Sequence, residues 1–577
     1  MTAQETYLDW LRSDVIDADT RRELEAIQND PREIEERFYC SLEFGTAGLR
    51  GILGAGTNRM NEYVVRQATQ GLADYMLGLE GAKEKGVCIA YDSRIKSDVF
   101  AREAACVLAA NGIQTYLFGT LHSVPQLSFT LQHLGCMAGI VITASHNPPK
   151  YNGYKVYWAY GGQCAPEQAD AIYARIQAVP MFSDKRMPFE KAVGDGLIRI
   201  IGAEEDEAYY RVSLSVLPYP ELLKEKGGSL SIVYTPLHGT GNIPVREMLA
   251  RAGVTNVTVV PEQAEPDGRF PTVSAPNPEM PDAFRLAFAC AEKTGATVCL
   301  ATDPDADRLG IAVRRPGEAW TVLTGNQIGC LLAEHLLSAL KAQGKLPSNG
   351  ALIKSVVSTK LADAIAARYG VTLMDVLTGF RFIGEKIDEF SRTGEYTYLF
   401  GFEESYGFLA GGFARDKDAI LSAVLAAEMC VSFSERGMTL ADGLAELYQT
   451  YGYYKERVAS YTLEGKAGIK RIGETMRRLR LEPIREAGGL KVLATEDYLS
   501  GTRVEADGAV TKLTLPESNV IRLLLEDNAW AVVRPSGTEP KLKLYIGGFA
   551  NEEAAADAQL EKVFNDLDGR LKALLFD

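Results

Sequence analysis

The sequence predicts an α/β protein of four domains, three similar α/β domains with mixed sheets followed by a smaller α+β domain. Three observations carry that prediction. The chain has 577 residues, too many for one hydrophobic core, because domains usually run about 100–200 residues. Short apolar runs alternate with longer amphipathic stretches, the pattern of βαβ units. The alternation changes near 452–460, after which strand-like runs mix with a basic helix at 469–481.

The elements follow in order. Residues 5–38 are charged with apolar positions at helical spacing, so they read as helices packed on the body. A first set of strands is expected at 87–91, 115–118 and 138–143, a second at 230–235, 254–260 and 297–302, and a third at 351–357, 372–376 and 398–402. Gly- and polar-rich stretches at 224–229 and 344–350 punctuate them. The expected domains are 1–215 with the N-terminal helices, 216–325, 326–455 and 456–577. The similarity of the three α/β blocks lies in layout; there is no residue-level repeat.

With 46% apolar and 24% charged residues, the composition is that of a folded globular protein with several cores. A net charge of −15, from 61 basic and 76 acidic side chains, disfavours nucleic acid and anionic membrane as partners. An anionic ligand is admitted only where Arg, Lys and backbone N–H groups cluster locally. The nine cysteines form no Cys-x-x-Cys pair, and an odd, scattered set argues against a disulfide framework. Residues 1–14 lack the apolar core of a signal peptide, and the most apolar windows, 135–144 and 421–433, fall short of the roughly 18 residues that span a bilayer. The cytoplasm is expected by default.

Four loops at the ends of predicted strands carry chemistry, at the edge where open α/β sheets bind ligands. Thr143-Ala144-Ser145-His146-Asn147-Pro148 puts a hydroxyl in an exposed turn, although capping alone would explain Ser and Asn there. No Gly-x-Ser-x-Gly elbow surrounds Ser145, which counts against a serine hydrolase. Asp303-Pro304-Asp305-Ala306-Asp307-Arg308 spaces three carboxylates at alternate positions, and an all-oxygen set favours Mg²⁺ or Ca²⁺ over zinc. An EF-hand would need Gly and Glu where Arg308 and Arg314 stand. Arg308 could hold a phosphate beside the metal, whereas an Asp-x-Asp phosphatase nucleophile would leave Ser145 without a role. Gly401-Phe402-Glu403-Glu404-Ser405-Tyr406-Gly407 offers acceptors for sugar hydroxyls between aromatic walls, or is a plain turn. Arg534-Pro535-Ser536-Gly537-Thr538-Glu539-Pro540-Lys541 combines a guanidinium with small residues whose N–H groups can face an anion; a polar hairpin is the bland alternative.

In order, these four loops resemble the signature loops of the α-D-phosphohexomutase superfamily. Smaller marks agree: Phe44-Gly45-Thr46-Ala47-Gly48-Leu49-Arg50-Gly51, Tyr151-Asn152-Gly153-Tyr154-Lys155, Tyr234-Thr235-Pro236-Leu237-His238-Gly239-Thr240-Gly241 and Thr378-Gly379-Phe380-Arg381. The variants look most like the longer branch with bacterial α-phosphoglucomutase and the phosphoglucomutase-2/phosphopentomutase group. The resemblance implies four domains around a central cleft. It implies a phosphoserine at Ser145, with His146, Lys155, Arg50 and Arg308 around the transferred group and Lys155 as an acid/base. Ser145, Asp303, Asp305 and Asp307 would hold Mg²⁺. Thr378, Gly379, Arg381, Glu403, Ser405 and Lys417 would contact the sugar, and Arg534, Ser536, Gly537 and Thr538 its far phosphate. Asp92-Ser93-Arg94 recurs in the family without an assigned role.

The activity so implied is exchange of glucose 1-phosphate and glucose 6-phosphate through glucose 1,6-bisphosphate as intermediate and activator. Pentose or mannose phosphates and a sugar-bisphosphate synthase are the alternatives. The expected partners are small sugar phosphates, with no nucleic acid or membrane, in a monomer or small homo-oligomer.

Overall fold

The structure is a computed structural model that describes residues 2–45, 48–315, 317–463, 465–536 and 541–576. It divides into two compact units, one of Met1–Gly325 with Ile383–Thr439 and one of Asn326–Phe382 with Leu440–Asp577.

The first unit opens with helices Ala3–Arg12, Ala18–Ala26 and Pro31–Phe38, each started by a side-chain cap from Thr2, Asp17 or Asp30. Their apolar stripes converge on Trp10, edge-on to Phe38 and Tyr63 at 5.7 and 5.5 Å. The helices therefore dock on the body, as the spacing predicts. A six-stranded mixed sheet follows, in the order Gly48–Ile52, Tyr151–Trp158, Ala138–Ile142, Val87–Tyr91, Thr115–Phe118 and Ile198–Ile201. Val87, Cys88, Ile89 and Ala90 are all buried because helices cover both faces, which is why that strand reads as an unbroken apolar run. The edge strand Gly48–Ile52 is antiparallel to its neighbour Tyr151–Trp158, with Arg50 opposite Gly153.

A five-stranded mixed sheet follows, in the order Thr321–Val322, Leu309–Val313, Val298–Thr302, Ile232–Thr235 and Val257–Val259. The antiparallel pair Thr397–Glu403 and Gly407–Ala410 and the helix Ala419–Ser434 complete the unit.

The second unit contains the parallel pair Gly350–Ser355 and Thr372–Val376. An antiparallel sheet runs Tyr453–Thr462, Lys541–Ala550, Trp530–Pro535, Ile521–Leu525, Leu490–Asp497, Thr502–Glu505 and Val510–Lys512, with Glu486–Ala487 beside Leu490–Asp497. Helices Gly465–Leu481 and Glu553–Phe576 pack on one of its faces through Ile472, Met476, Val563 and Leu567. Every strand expected from sequence is present to within a few residues. The largest trim is 254–260, which shortens to Val257–Val259. All nine cysteines are unbridged, and no helix among the described residues is long and apolar enough to cross a membrane.

Asp418 caps Ala419–Ser434, accepting from Leu421 N at 2.9 Å and from the Tyr209 hydroxyl at 2.8 Å. Burial nonetheless pushes its carboxyl up from 3.8 to about 6. A raised carboxyl binds its proton more tightly in the folded state, so stability falls as pH rises from about 4 to about 6 and is level above. Asp418→Asn keeps the cap and removes that cost. It should stabilise the unit by about 1–3 kcal/mol near pH 7.5 and by nothing below about pH 4, read from denaturant melts at the two pH values.

Candidate functional site

Ser145 sits in the connection between the antiparallel strands Ala138–Ile142 and Tyr151–Trp158. Its backbone is left-handed at φ 49°, a conformation a serine holds only when its surroundings impose it. Two contacts do so. Ser145 N donates to Thr143 Oγ1 at 2.8 Å, and the Thr143 hydroxyl donates to Asp305 Oδ2 at 3.1 Å. Beneath the loop, the Arg94 guanidinium donates to the carbonyls of Pro148 and Tyr151 at 3.1 and 3.0 Å, and to those of Ser145 and Asn147. Asp92, 3.4 Å away, is its buried counter-ion.

Asp303–Arg308 leaves the end of the strand Val298–Thr302 and folds on itself. Asp303 Oδ1 accepts from Asp307 N at 3.1 Å and Arg308 N at 3.0 Å, while Ala306 takes a left-handed φ of 51°. Three neighbouring segments fix the loop. Thr240 N donates to Pro304 O at 2.8 Å, Val124 N to Asp305 O at 3.0 Å, and Ala419 N to Ala306 O at 3.1 Å. Gly239 is required there, since a Cβ would lie 2.4 Å from Pro304 Cα. Buttressing is thus what Tyr234–Gly241 does.

The two loops meet. Ser145 Oγ donates to Asp303 Oδ2 at 2.6 Å and lies 3.2 Å from His146 Nδ1. Asp303, Asp305 and Asp307 are at most 2% exposed, and each offers an oxygen within 4.8 Å of the others'. At such separations each ionised pair costs roughly 3 kcal/mol even at an effective dielectric of about 20. Burial, and then Asp305 and Asp307, hold the Asp303 carboxyl well above the usual range, and burial and Asp305 raise Asp307. For Asp305 burial is overcome by Lys155, at 3.0 Å, and it stays low. Lys417 sits 3.0 Å from Asp307 and 3.2 Å from Asp416; burial opposes its charge, and those two carboxylates outweigh it.

Two oxygens, Asp305 Oδ1 and Asp307 Oδ1, are buried without a hydrogen-bond partner. Orphaned buried acceptors in an all-oxygen cluster are what a hard metal ion would satisfy, so the residues fit one. His146 stays a neutral imidazole, because burial and the charges of Arg308 and Arg50 push it well below the usual histidine value.

The other expected site residues divide between the units. In the first, Arg50 reaches Asn147 Oδ1 at 3.4 Å, Lys155 pairs across the strand with Gly48, and Arg308 lies 4.0 Å from Asp307. Arg308 also bridges backbone to backbone with Gly407, which sets the Glu403–Gly407 turn against the metal loop; Glu403 is buried there. So Ser145, His146, the three aspartates, Arg50, Lys155, Arg308, Lys417 and the Glu403–Ser405 turn form one cluster.

In the second unit, Thr378 and Gly379 follow Thr372–Val376, and Arg381 lies 4.5 Å over the Phe382 ring. Arg534 faces Lys543 in the register of its sheet, and Ser536 N donates to Lys541 O at 2.8 Å, closing the hairpin. The Arg534 side chain has no hydrogen bond or ion pair among the described residues; Gly537 and Thr538 lie outside them. Sequence reasoning gave Arg94 no role and did not single out Thr143 as a bridge or Asp416. For Arg94 the available signal was its place just past Val87–Tyr91, the strand beside Ala138–Ile142.

Comparison with known proteins finds one family along most of the chain. The profiles for phosphoglucomutase/phosphomannomutase α/β/α domains I, II and III match residues 41–181, 214–317 and 324–451, and that for the C-terminal domain matches 490–564. This succession defines the class, the α-D-phosphohexomutase superfamily of phosphotransferase isomerases. A phosphoglucomutase of Staphylococcus saprophyticus is 39% identical over 512 residues, 88% of this chain and 91% of that one. A Staphylococcus aureus phosphoglucomutase is 37% identical over 531 residues, covering 90% and 92%. The chain belongs to the phosphoglucomutase/phosphomannomutase family. Its fold is shared by the open form of the Paramecium phosphoglucomutase pp63/parafusin, at TM-score 0.68 and 18% identity over 93% of this chain and 96% of that one. A Burkholderia thailandensis family protein shares it at TM-score 0.64 and 19% identity, over 92% and 97%.

If the triad holds a metal, a divalent cation should raise the melting temperature, by about 2.7 kcal/mol in stability at a hundredfold excess over Kd. Asp305→Ala should weaken that binding at least tenfold in a calorimetric titration. An equal response from both proteins would refute the site.

Proposed function

We propose that the chain interconverts glucose 1-phosphate and glucose 6-phosphate through a phosphorylated Ser145 and a bound glucose 1,6-bisphosphate, with Mg²⁺ at the aspartate triad. The observation that carries this reading is the 2.6 Å hydrogen bond from Ser145 Oγ to Asp303, inside a buried carboxylate cluster flanked by cations. Curated relatives named phosphoglucomutase, at 39% and 37% identity over most of the chain, support glucose as the sugar.

In this reading Asp303, Asp305, Asp307 and the Ser145 oxygen hold the metal, which when bound supplies positive charge against the phosphoryl oxygens. Phosphoryl transfer asks mainly for in-line positioning and charge neutralisation. Arg50 and Arg308 offset the charge of about −1.5 to −2 on the phosphoserine. Lys155, held beside Asp305, is the acid/base: as the free amine it takes the proton that the attacking sugar hydroxyl loses, and as the ammonium it returns one in the reverse half-reaction. Neutral His146 orients the Ser145 hydroxyl through Nδ1. Lys417, Glu403 and Ser405 bind sugar hydroxyls, with Thr378, Gly379 and Arg381 at the ring. Arg534, Ser536, Gly537 and Thr538 bind the phosphate that is not reacting.

The bisphosphate must then present its other end to Ser145, so the Arg534 loop has to accept the sugar in either orientation. Excluding water during that turn protects the phosphoserine from hydrolysis. Charged sugar phosphates do not cross bilayers, which fits a cytoplasmic enzyme.

Ser145→Ala should abolish turnover of glucose 1-phosphate with the circular dichroism spectrum unchanged. Mass spectrometry should find one phosphoryl group on the wild type and none on the variant. Near-normal turnover in the variant would sink the mechanism. A higher kcat/KM on ribose or mannose 1-phosphate would move the sugar assignment, and bisphosphate accumulating in phosphorus NMR would make the enzyme a synthase. Arg534→Ala should raise KM at least tenfold with a smaller change in kcat; a large kcat loss at constant KM would contradict its assignment.

A further inference from the structure

The second unit carries a buried ionic network that the proposed chemistry does not use. Lys354 is fully buried, and its ammonium donates to Asp375 Oδ1 at 2.6 Å from the adjacent strand, where the two residues are paired in register. The other oxygen, Asp375 Oδ2, accepts from Arg522 Nη1 at 3.0 Å. Arg522 is 7% exposed and also lies 3.5 Å from Glu496, its register partner in the C-terminal sheet. Glu496 in turn accepts from the Tyr498 hydroxyl at 2.7 Å and from Arg503 at 3.1 Å. The network spans two sheets. Asp375 and Lys354 belong to the parallel pair, while Arg522, Glu496 and Arg503 belong to the antiparallel C-terminal sheet.

What each end adjoins gives the network its meaning. Asp375 is on the last turn of pleat before Val376, and the chain runs from there directly into Thr378-Gly379. Arg522 is opposite Val532 in the neighbouring strand, so Arg534, two residues on, lies on the same face of the sheet. Lys543, opposite Arg534, shares that face. The face thus bears the cations Arg503, Arg522, Arg534 and Lys543 in adjacent register positions. Carboxylates match the first two: Glu496 and Glu505 hold Arg503, and Glu496 and Asp375 hold Arg522. The last two have no ion pair among the described residues. A buried ion pair is a poor source of stability compared with apolar packing, and its best-attested use is to fix one geometry over its alternatives.

We infer that Arg522 is a positioning residue: by pairing with Asp375 it locks the Thr378–Gly379 loop to the sheet that carries Arg534, and so sets the spacing between the sugar-ring contact and the phosphate contact. The inference rests on the mutase reading, in which those two loops hold one sugar phosphate. Arg522 itself touches no substrate. A ligand with one anchor, such as inorganic phosphate, is indifferent to the spacing, whereas a sugar phosphate that must reach both loops is not.

Arg522→Met, which keeps most of the volume, should raise KM at least tenfold for the sugar 1-phosphate that the wild type uses best, with kcat within threefold. The inhibition constant of inorganic phosphate should stay within twofold. Asp375→Asn, which also takes a carboxylate from Lys354, should do at least as much, and Asp375→Asn/Arg522→Met should be no worse than Asp375→Asn alone, because the Arg522–Asp375 contact is already broken there. The double variant leaves no Asp375 carboxylate facing an absent guanidinium, and Glu496 keeps Arg503 as its partner, so it carries the test if Arg522→Met alone fails to fold. A folded variant with KM within twofold of wild type would overturn the inference. So would additive single effects, or phosphate inhibition weakening in step with KM, which would make Arg522 a direct ligand. A wild type that prefers another sugar overturns the glucose assignment and leaves this comparison intact.

Discussion

Three carboxylates forced together away from water are the constraint on which the rest of the site depends. Spread over an exposed turn they would repel weakly and need nothing. Buried within 4.8 Å of one another, they raise each other's proton affinity and require positive charge from outside the loop. Lys155 reaches Asp305 and Lys417 reaches Asp307, each coming from a different strand or loop of the first unit. Among the described residues Asp303 has no lysine. It uses one oxygen to close its own loop and the other to accept from Ser145. That division of partners joins the serine loop to the aspartate loop, and it leaves on Asp305 and Asp307 the two orphan oxygens where a cation fits.

Holding such a cluster demands backbone that would not form unaided. Ser145, Ala306 and Tyr406 all adopt left-handed φ, and one stands in each of the three loops that meet there. Each costs of order 1 kcal/mol or more, so neighbouring structure must over-determine it. Thr240, Val124 and Ala419 do this for the aspartate loop through backbone hydrogen bonds. Leu237 and His238, in the segment that buttresses the aspartate loop, are left-handed as well.

Much of this was legible in the sequence, and the limits have physical causes. The strands Val87–Tyr91 and Thr115–Phe118 were readable to the residue, because apolar runs bounded by Gly and polar residues mark buried strands, and Thr372–Val376 was too, although only Val376 of it is buried. Gly48–Ile52 and Tyr151–Trp158 were noticed as motifs and not as strands, since Gly51 and Gly153 break the β-rich pattern. The residue types of the serine and aspartate loops could be read, but not how those two loops meet. That Asp303 takes Ser145 while Asp305 takes Lys155 depends on which carboxylate oxygen faces which strand, and no spacing rule encodes it. Arg94 was invisible for the same reason, its ligands being carbonyls, which every residue has.

Arg94 also shows how an acidic chain can set a fixed cation beneath the serine loop. Its guanidinium gathers the carbonyls of Ser145, Asn147, Pro148 and Tyr151 to one side. The N–H groups of Ser145, Asn147 and Tyr151 are used within the loop, by Thr143 Oγ1 and the carbonyls of Ala144 and Pro148, and Pro148 and Pro149 have none, so what Arg94 supplies is the loop's shape. Without Arg94 those four carbonyls would lose the donor they share. Arg94 and its counter-ion Asp92 are both almost fully buried and locked, so the pair cannot swing out to solvent or to a competing anion. A net charge of −15 is therefore no obstacle to phosphate chemistry, because the relevant field is set within a few ångströms by fixed dipoles and anchored cations.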